Sequence, residues 1–430
     1  MKKTITRKLF TWFLIMMMLF HLASCLGSRG TVDYSKINVG DAAVRLSQNA
    51  GFNDFDCQLI KFMSESDFAD SDFIVSPLSL RYALALAIAG ADGNTKAQLL
   101  KAAGFSSTEA LETWSGIISD FVENFAGKSE KYVGSLGHND GSAVNGEQEY
   151  SLKVANSAWH NAGSGNNSLS DNYVKYINEF FGAEAYTVPS DRMMNEINSW
   201  VSNNTNGLIP VIVDEDVAHS NTVLVNALYL KDGWQNAFEK SATKKGKFTK
   251  VDGGKKDVEY MKLTEKVLYY GDMETELVIL PMMFGVNVAF VLGSTDSLSQ
   301  KLGKAEYRQV SVTVPKFSTE TFLGGGDLIQ FLRDLGVKDA FDLNRADFSV
   351  MIPGEETLHI DKITQKSKIS VDEEGIEAAA ATAVDFLTYS MGPDPNVIEF
   401  KADRPFSYFI LASQDGAAEL LFFGQYTGVE

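Results

Sequence analysis

The residues with which this chain could bind a metal or attack a carbonyl are five histidines, two cysteines and an abundance of serine and aspartate. His21, His138, His160, His219 and His359 are scattered, and none has a neighbour at metal-ligand spacing. No GxSxG elbow, HExxH, Walker loop or GxGxxG occurs, and Gly324-Gly325-Gly326 lacks the later spacing that would cradle a phosphate. No metal or cofactor is therefore expected. A triad assembled only by folding stays open at this level, since serine and aspartate are plentiful. The stretch that stands out is residues 371–384, VDEEGIEAAAATAV. Three glutamates ahead of four alanines suit a helix with acids near its positive end. Against that, Gly375 interrupts the start, and no amphipathic pattern continues into a segment containing Pro393 and Pro395, which reads as extended and exposed.

The two cysteines point elsewhere. Lys2, Lys3, Arg7 and Lys8 precede an uncharged apolar run over residues 9–22, a secretory signal too short for a comfortable membrane span. The run ends in Leu22-Ala23-Ser24-Cys25, which resembles the bacterial lipoprotein cleavage box. That resemblance implies a cut before Cys25 and a lipid on its sulfur; the alternative is an ordinary cleavage site with Cys25 incidental. Residues 1–24 are expected to be signal, 25–45 a tether and 46–430 a single domain. The protein is then an exported lipoprotein of a bacterial outer membrane, cell surface or periplasm, touching membrane only through its anchor. Cys57 is left alone, so no internal disulfide forms, and its spacing with Phe55, Leu59 and Phe62 reads as a small buried hydrophobe. A formal charge of −18 excludes nucleic acid as a partner.

Around these residues the chain reads as mixed α and β. Helical spacing covers residues 52–64, and 78–91 is apolar nearly all round, implying burial on every side. Two helices follow over 94–126, closed by Gly104 and Gly127, before a Gly- and Ser-rich loop over 127–149. Residues 152–159 alternate like a strand, and 173–181 and 192–201 are amphipathic helices. The continuous apolar run at 223–230 suggests a central strand covered on both faces. A strand pair at 277–280 and 286–292, a helix at 328–335 ended by Gly336, and a terminal hairpin at 405–412 and 418–423 complete the reading.

Glu373-Glu374-Gly375-Ile376-Glu377-Ala378-Ala379-Ala380-Ala381-Thr382 resembles the hinge of a serpin reactive loop, and Phe400-Lys401-Ala402-Asp403-Arg404-Pro405-Phe406 resembles the family signature that follows that loop. Supporting likenesses run in order through the chain: FIVSPLSL at 73–80, INSWVSNNTNG at 197–207, NALYLKDGW at 226–234 and LGVKDAFDLNRADFS at 335–349. The resemblance implies the serpin fold, with three β-sheets, about eight or nine helices and an exposed reactive loop near residues 373–397. It implies a monomeric protease inhibitor and not an enzyme. A serine protease attacks the loop and forms an acyl-enzyme; the cut loop then inserts into the central sheet, and the protease stays covalently bound. Ser76, Ser79, Asn226 and Gln365 correspond to the shutter of that sheet and Trp234 to its breach, where Glu373 and Lys316 are expected to pair.

The residue physics agrees with insertion. Alternation from Ile376 puts Ile376, Ala378, Ala380, Thr382, Val384 and Phe386 on one face, all apolar but Thr382, and the alanines need almost no room. Two departures stand out. Ile376 occupies a position usually held by Ser or Thr in inhibitory members, and Gln365 replaces a histidine, which removes a pH switch while leaving an amide able to reach Asn226. The family spacing from Gly375 selects Tyr389-Ser390 as the bait bond, with Met391-Gly392 as the alternative because the following stretch is longer than in many relatives. An aromatic there suits chymotrypsin-like targets, and methionine suits elastase- or subtilisin-like ones. Cysteine proteases form a further target class. A serpin-fold binding protein whose loop never traps a protease, and a hydrolase with a hidden triad, are the alternatives.

Overall fold

A computed structural model describes residues 52–136, 150–162, 168–324, 326–354, 358–360, 362–376, 397–414 and 417–429. Cys25, Glu377–Thr382 and both candidate bait bonds lie outside them. Helix α1 (Asp54–Glu65) opens on an Asn53 capping box, and strand β1 (Phe73–Val75) leads into helix α2 (Pro77–Gly90), capped by Ser76. Helices α3 (Gly93–Ala102) and α4 (Thr108–Leu136) follow, then strand β2 (Ser151–Asn161), helix α5 (Asp171–Phe181), strand β3 (Glu184–Val188) and helix α6 (Met193–Asn204). The next run is mostly strand: β4 (Thr222–Gly233), β5 (Lys244–Thr249), β6 (Lys255–Gly271), β7 (Thr275–Pro281) and β8 (Val286–Gly293). Helix α7 (Leu298–Gly303), strands β9 (Glu306–Pro315) and β10 (Phe317–Leu323) and helix α8 (Asp327–Asp334) precede β11 (Gln365–Val371) and the two-residue β12 (Gly375–Ile376). Strands β13 (Ile398–Lys401), β14 (Phe406–Gln414) and β15 (Ala417–Tyr426) close the chain.

The strands form two sheets. One has six strands in the order β10-β11-β12-β4-β2-β3; the other has nine, ordered β1-β15-β14-β8-β7-β6-β9-β13 with β5 on β6. The expected second and third sheets are continuous, because the 17-residue β6 pairs β5 at its first end, β9 along its middle and β7 at its last end. Both faces of the six-stranded sheet are covered at β4. Leu228 and Leu230 of β4 join the main core with the all-round apolar helix α2, while Val225 and Ala227 join Ile197, Trp200 and Val201 of α6 in a second apolar cluster. Thus β4 is the doubly buried central strand that its sequence suggested.

Two sequence expectations fail locally. Helix α4 continues through Gly127 to Leu136, because Phe121 and Phe125 on one side and Tyr132 beyond anchor it on the core. That packing outweighs the roughly 1 kcal/mol a mid-helix glycine costs relative to alanine. Cys57 is exposed, not buried: Phe55, Leu59 and Met63 line the inward side of α1 at four-residue spacing, which turns position 57 to solvent.

Candidate functional site

Strands β4 and β11 are the edges of an incompletely filled seam. β11 pairs antiparallel with β10 over its whole length from Gln365 to Val371, and β4 pairs antiparallel with β2 from Thr222 to Lys231. On their facing edges the only ladder among the described residues is at one end, where β12 pairs antiparallel with both. The register is Ile376↔Val371 on one side, and Gly375↔Gly233 and Ile376↔Asp232 on the other. In β11, Gln365, Ser367, Ile369 and Val371 are buried and alternate with half-exposed residues. Directly paired residues share a face, so Ile376, itself buried in the main core, points to the core side. Gly375 is needed for this entry: a Cβ there would lie 2.1 Å from the Asp232 carbonyl oxygen.

At this upper end charge and aromatic groups fix the hinge. The buried Glu373 carboxylate accepts from Thr243 Oγ1 at 2.7 Å and pairs with Lys316 Nζ at 2.8 Å. Burial pulls Glu373 toward its neutral form, but Lys316 and Thr243 outweigh that and hold its pKa below the usual carboxylate value. The same contact holds the Lys316 ammonium above its ordinary value. Glu374, also buried, pairs with Lys240, a contact the sequence reading missed because Lys240 sits in a polar stretch without a pattern. Trp234 donates from Nε1 to the Asp372 carbonyl and from its backbone N–H to the Glu374 carbonyl, both at 2.9 Å. Across the ladder from Ile376, Asp232 is wholly buried, accepts from the Phe284 N–H, and has its pKa pushed well up by desolvation.

At the other end the seam holds a cavity of 130 Å³, lined by Leu80 and Leu84 of α2, Leu224 and Asn226 of β4, and Ile363 and Gln365. Side chains bridge it. Ser79 Oγ donates to Asn226 Oδ1, and Asn226 Nδ2 donates to Asn156 Oδ1 at 2.7 Å. Gln365 turns away from the expected partner Asn226: its Oε1 accepts from Ser76 N–H at 3.2 Å and its Nε2 donates to the Ser76 carbonyl at 2.7 Å. Both Ser76 backbone groups lie at the buried junction of β1 and α2, and a side-chain amide can satisfy donor and acceptor together.

The structure therefore brings Ser76, Ser79, Asn226 and Gln365 to one end of the seam and Trp234, Lys316, Glu373, Glu374, Gly375 and Ile376 to the other. Among the described residues no group of three or more His, Cys, Asp or Glu side chains is placed to hold a metal ion. What the arrangement can do is accept one more strand.

Known proteins resemble this chain in sequence and fold. The sequence profile described as Serpin (serine protease inhibitor) matches residues 50–428. Serpin B6 of Bos taurus is 30% identical over 396 residues, covering 86% of this chain and 97% of that protein. The leukocyte elastase inhibitor of Equus caballus is 30% identical over 404 residues, covering 87% and 97%. Among solved structures, the thermophilic serpin tengpin in its native state matches with a TM-score of 0.69 and 26% identity, over 90% of this chain and 93% of that one.

Proposed function

This chain belongs to the serpin family, and we propose that it is a suicide inhibitor of chymotrypsin-, elastase- or subtilisin-like serine proteases that works by filling the β4/β11 seam with its own cleaved loop. The observation that carries this reading is the register at Gly375-Ile376, which starts a strand between β4 and β11 and leaves their facing edges to be paired. Continuing that register after cleavage sets Ala378 between Ile369 and Leu230, and Ala380 between Ser367 and Leu228. Thr382, the one polar residue of the core face, would come between Gln365 and Asn226, where hydroxyl and amides can bond. Ala379, Ala381 and Ala383 would lie opposite Tyr229, Ala227 and Val225, under the cluster that α6 makes with β4; only small side chains fit beneath a packed helix.

About fourteen inserted residues at about 3.3 Å each carry the acylated protease roughly 45 Å. Each inserted residue brings ladder hydrogen bonds that the loop lacked, so the uncut fold is held by a barrier and not by equilibrium. Strain release by serpin loop insertion is a general example of such switching. We assign Tyr389-Ser390 as the bait bond, with Met391-Gly392 second, and extend the target class to cysteine proteases. The protein acts as a monomer held at a bacterial surface or periplasm through lipid on Cys25. Incubation with chymotrypsin and with elastase is expected to give an SDS-resistant complex whose loop peptide, read by mass spectrometry, ends at Tyr389 or Met391. Cleavage of the loop with release of active protease would contradict the proposal, and so would turnover of peptide substrate by the protein alone.

A further inference from the structure

The densest lysine run in the chain stands between the two feet of the reactive loop. Residues 240–266 hold nine lysines and four acidic residues in a protein of net charge −18. Three of these lysines are held in ion pairs, Lys240 with Glu374, Lys247 with Asp257 and Lys250 with Asp252, while Lys255 donates to Thr249 and Lys256 lies over the Tyr426 ring. Lys244, Lys245, Lys262 and Lys266 are exposed and make no ion pair among the described residues.

Their placement follows from the strands. The loop's first foot is tied to the segment just ahead of β5: Phe238 N–H donates to the Glu373 carbonyl, Lys240 pairs with Glu374, and Thr243 holds Glu373. Lys244 and Lys245 come next; Lys244 pairs with Tyr260 and so shares a face with Lys262 and Lys266, whereas Lys245 pairs with Glu259 on the other face. The second foot is β13, which lies parallel on β9 with Ile398 at Val310 and Lys401 at Thr313. β9 in turn pairs β6, setting Lys262 opposite Thr313 and Lys266 opposite Gln309. Lys262 and Lys401 thus flank Thr313 in one cross-strand row, and the lysine-bearing strands run from one foot to the other. Acid is present but does not cancel this: Glu399 sits at Ser311, Glu259 faces Lys245, Glu265 neighbours Lys266, and Asp403 pairs with Lys401 at 3.1 Å.

We propose that this strip is a docking surface selecting target proteases with an acidic rim around the catalytic cleft. This rests on the inhibitory reading above. A protease closing on a bond between the two feet must overhang the strands that carry them. The acidic remainder of the protein repels an acidic protease, so unpaired lysines at the loop focus approach where it is productive and raise the association rate more than the final affinity. Charges of this kind are screened beyond about 8–10 Å at ordinary salt, which makes the effect dependent on ionic strength.

The test uses the full chain in detergent and a triple variant, Lys244→Glu, Lys262→Glu and Lys266→Glu. Association rates are measured with two chymotrypsin-like proteases of equal cleavage preference, one acidic and one basic. The expected result is about a tenfold fall for the acidic enzyme at low salt, none for the basic one, and convergence near about 0.5 M salt, with unchanged inhibition stoichiometry. An unchanged rate, or an equal fall for both enzymes, would overturn the proposal. So would loss of binding to phosphatidylglycerol-containing vesicles with the protease rates intact, which would assign the strip to a bilayer. The acidic protease with its catalytic serine replaced by alanine separates the two readings. Weaker equilibrium binding of that enzyme to the variant supports the surface even where no covalent complex forms.

Discussion

At the upper end of the β4/β11 seam, Gly375 and Ile376 complete a backbone ladder, and Glu373 and Glu374 are held by Lys316, Thr243 and Lys240. At the lower end the strands part around a cavity and are tied by side chains alone, Ser79 to Asn226 and Gln365 to Ser76. The first closure has already begun to be the final sheet. The second consists of contacts that a new strand can exchange for its own. The difference teaches where such a molecule can store a conformational change. A seam open at both ends would fill spontaneously or recruit another chain's edge. One sealed by a full ladder could not open without unfolding. In the mechanism proposed above, charge fixes the direction of entry, and polar side chains hold the remaining length apart until cleavage frees the loop.

The contrast can be broken from either end. The largest effect is expected from Ala378→Arg, which the continued register sets on the core face between Ile369 and Leu230, so that a charge must be buried on insertion. Partition into the SDS-resistant complex should fall about a hundredfold or more, with the protein becoming a substrate. Undiminished trapping would contradict the register. Gln365→Ala deprives two buried Ser76 backbone groups of their partner at once. Denaturant titration should show a loss of about 1–3 kcal/mol, and no loss would mean that the lower tie is idle. Lys316→Ala leaves the Glu373 carboxylate buried beside Thr243 alone. Since Lys316 is itself 34% exposed, solvent discounts the effect to about 1–2 kcal/mol, seen as a lower melting temperature and a faster loss of inhibitory capacity on storage.

The smallest effect sharpens the upper end. Burial raises the pKa of Asp232 in the folded protein, so the folded state binds more protons than the unfolded one. Its contribution is fully present below the ordinary carboxylate value of about 4 and is lost as pH rises from there toward the folded-state pKa. Asp232→Asn removes that titration while keeping an acceptor for the Phe284 N–H. Wild type and variant should melt alike at pH 4, and the variant should melt higher at pH 8. Parallel melting curves at both pH values would show that Asp232 stays ionised.

Apolar patterning made part of this legible from sequence. The run around Leu228 marked β4, and the hairpin of β14 and β15 and the helix α2 followed from continuous hydrophobic stretches. β6 escaped, because its lysines and acidic residues alternate with apolar ones on a half-exposed strand whose partners are β5, β7 and β9, known only after folding. Buried charge was equally hidden. Arg81 pairs with Glu419 at 2.9 Å across 338 residues, and no local spacing announces such a contact. Asp56, near them, has its pKa raised to about 8 by burial and by the Glu419 charge. Lys316 and Glu373 were anticipated through family resemblance alone. Ile376 was different: the alternation of small and apolar residues after it set a core face before any coordinates did.

The most direct measurement compares the thermal unfolding of intact protein with that of protein clipped once in the loop by a catalytic amount of protease. If the severed segment becomes a strand between β4 and β11, the clipped form should outlast the intact one by about 20 °C or more, as befits a dozen or so residues gaining ladder bonds. Coincident melting curves would mean that the loop stays outside the sheet and that the seam is not its destination.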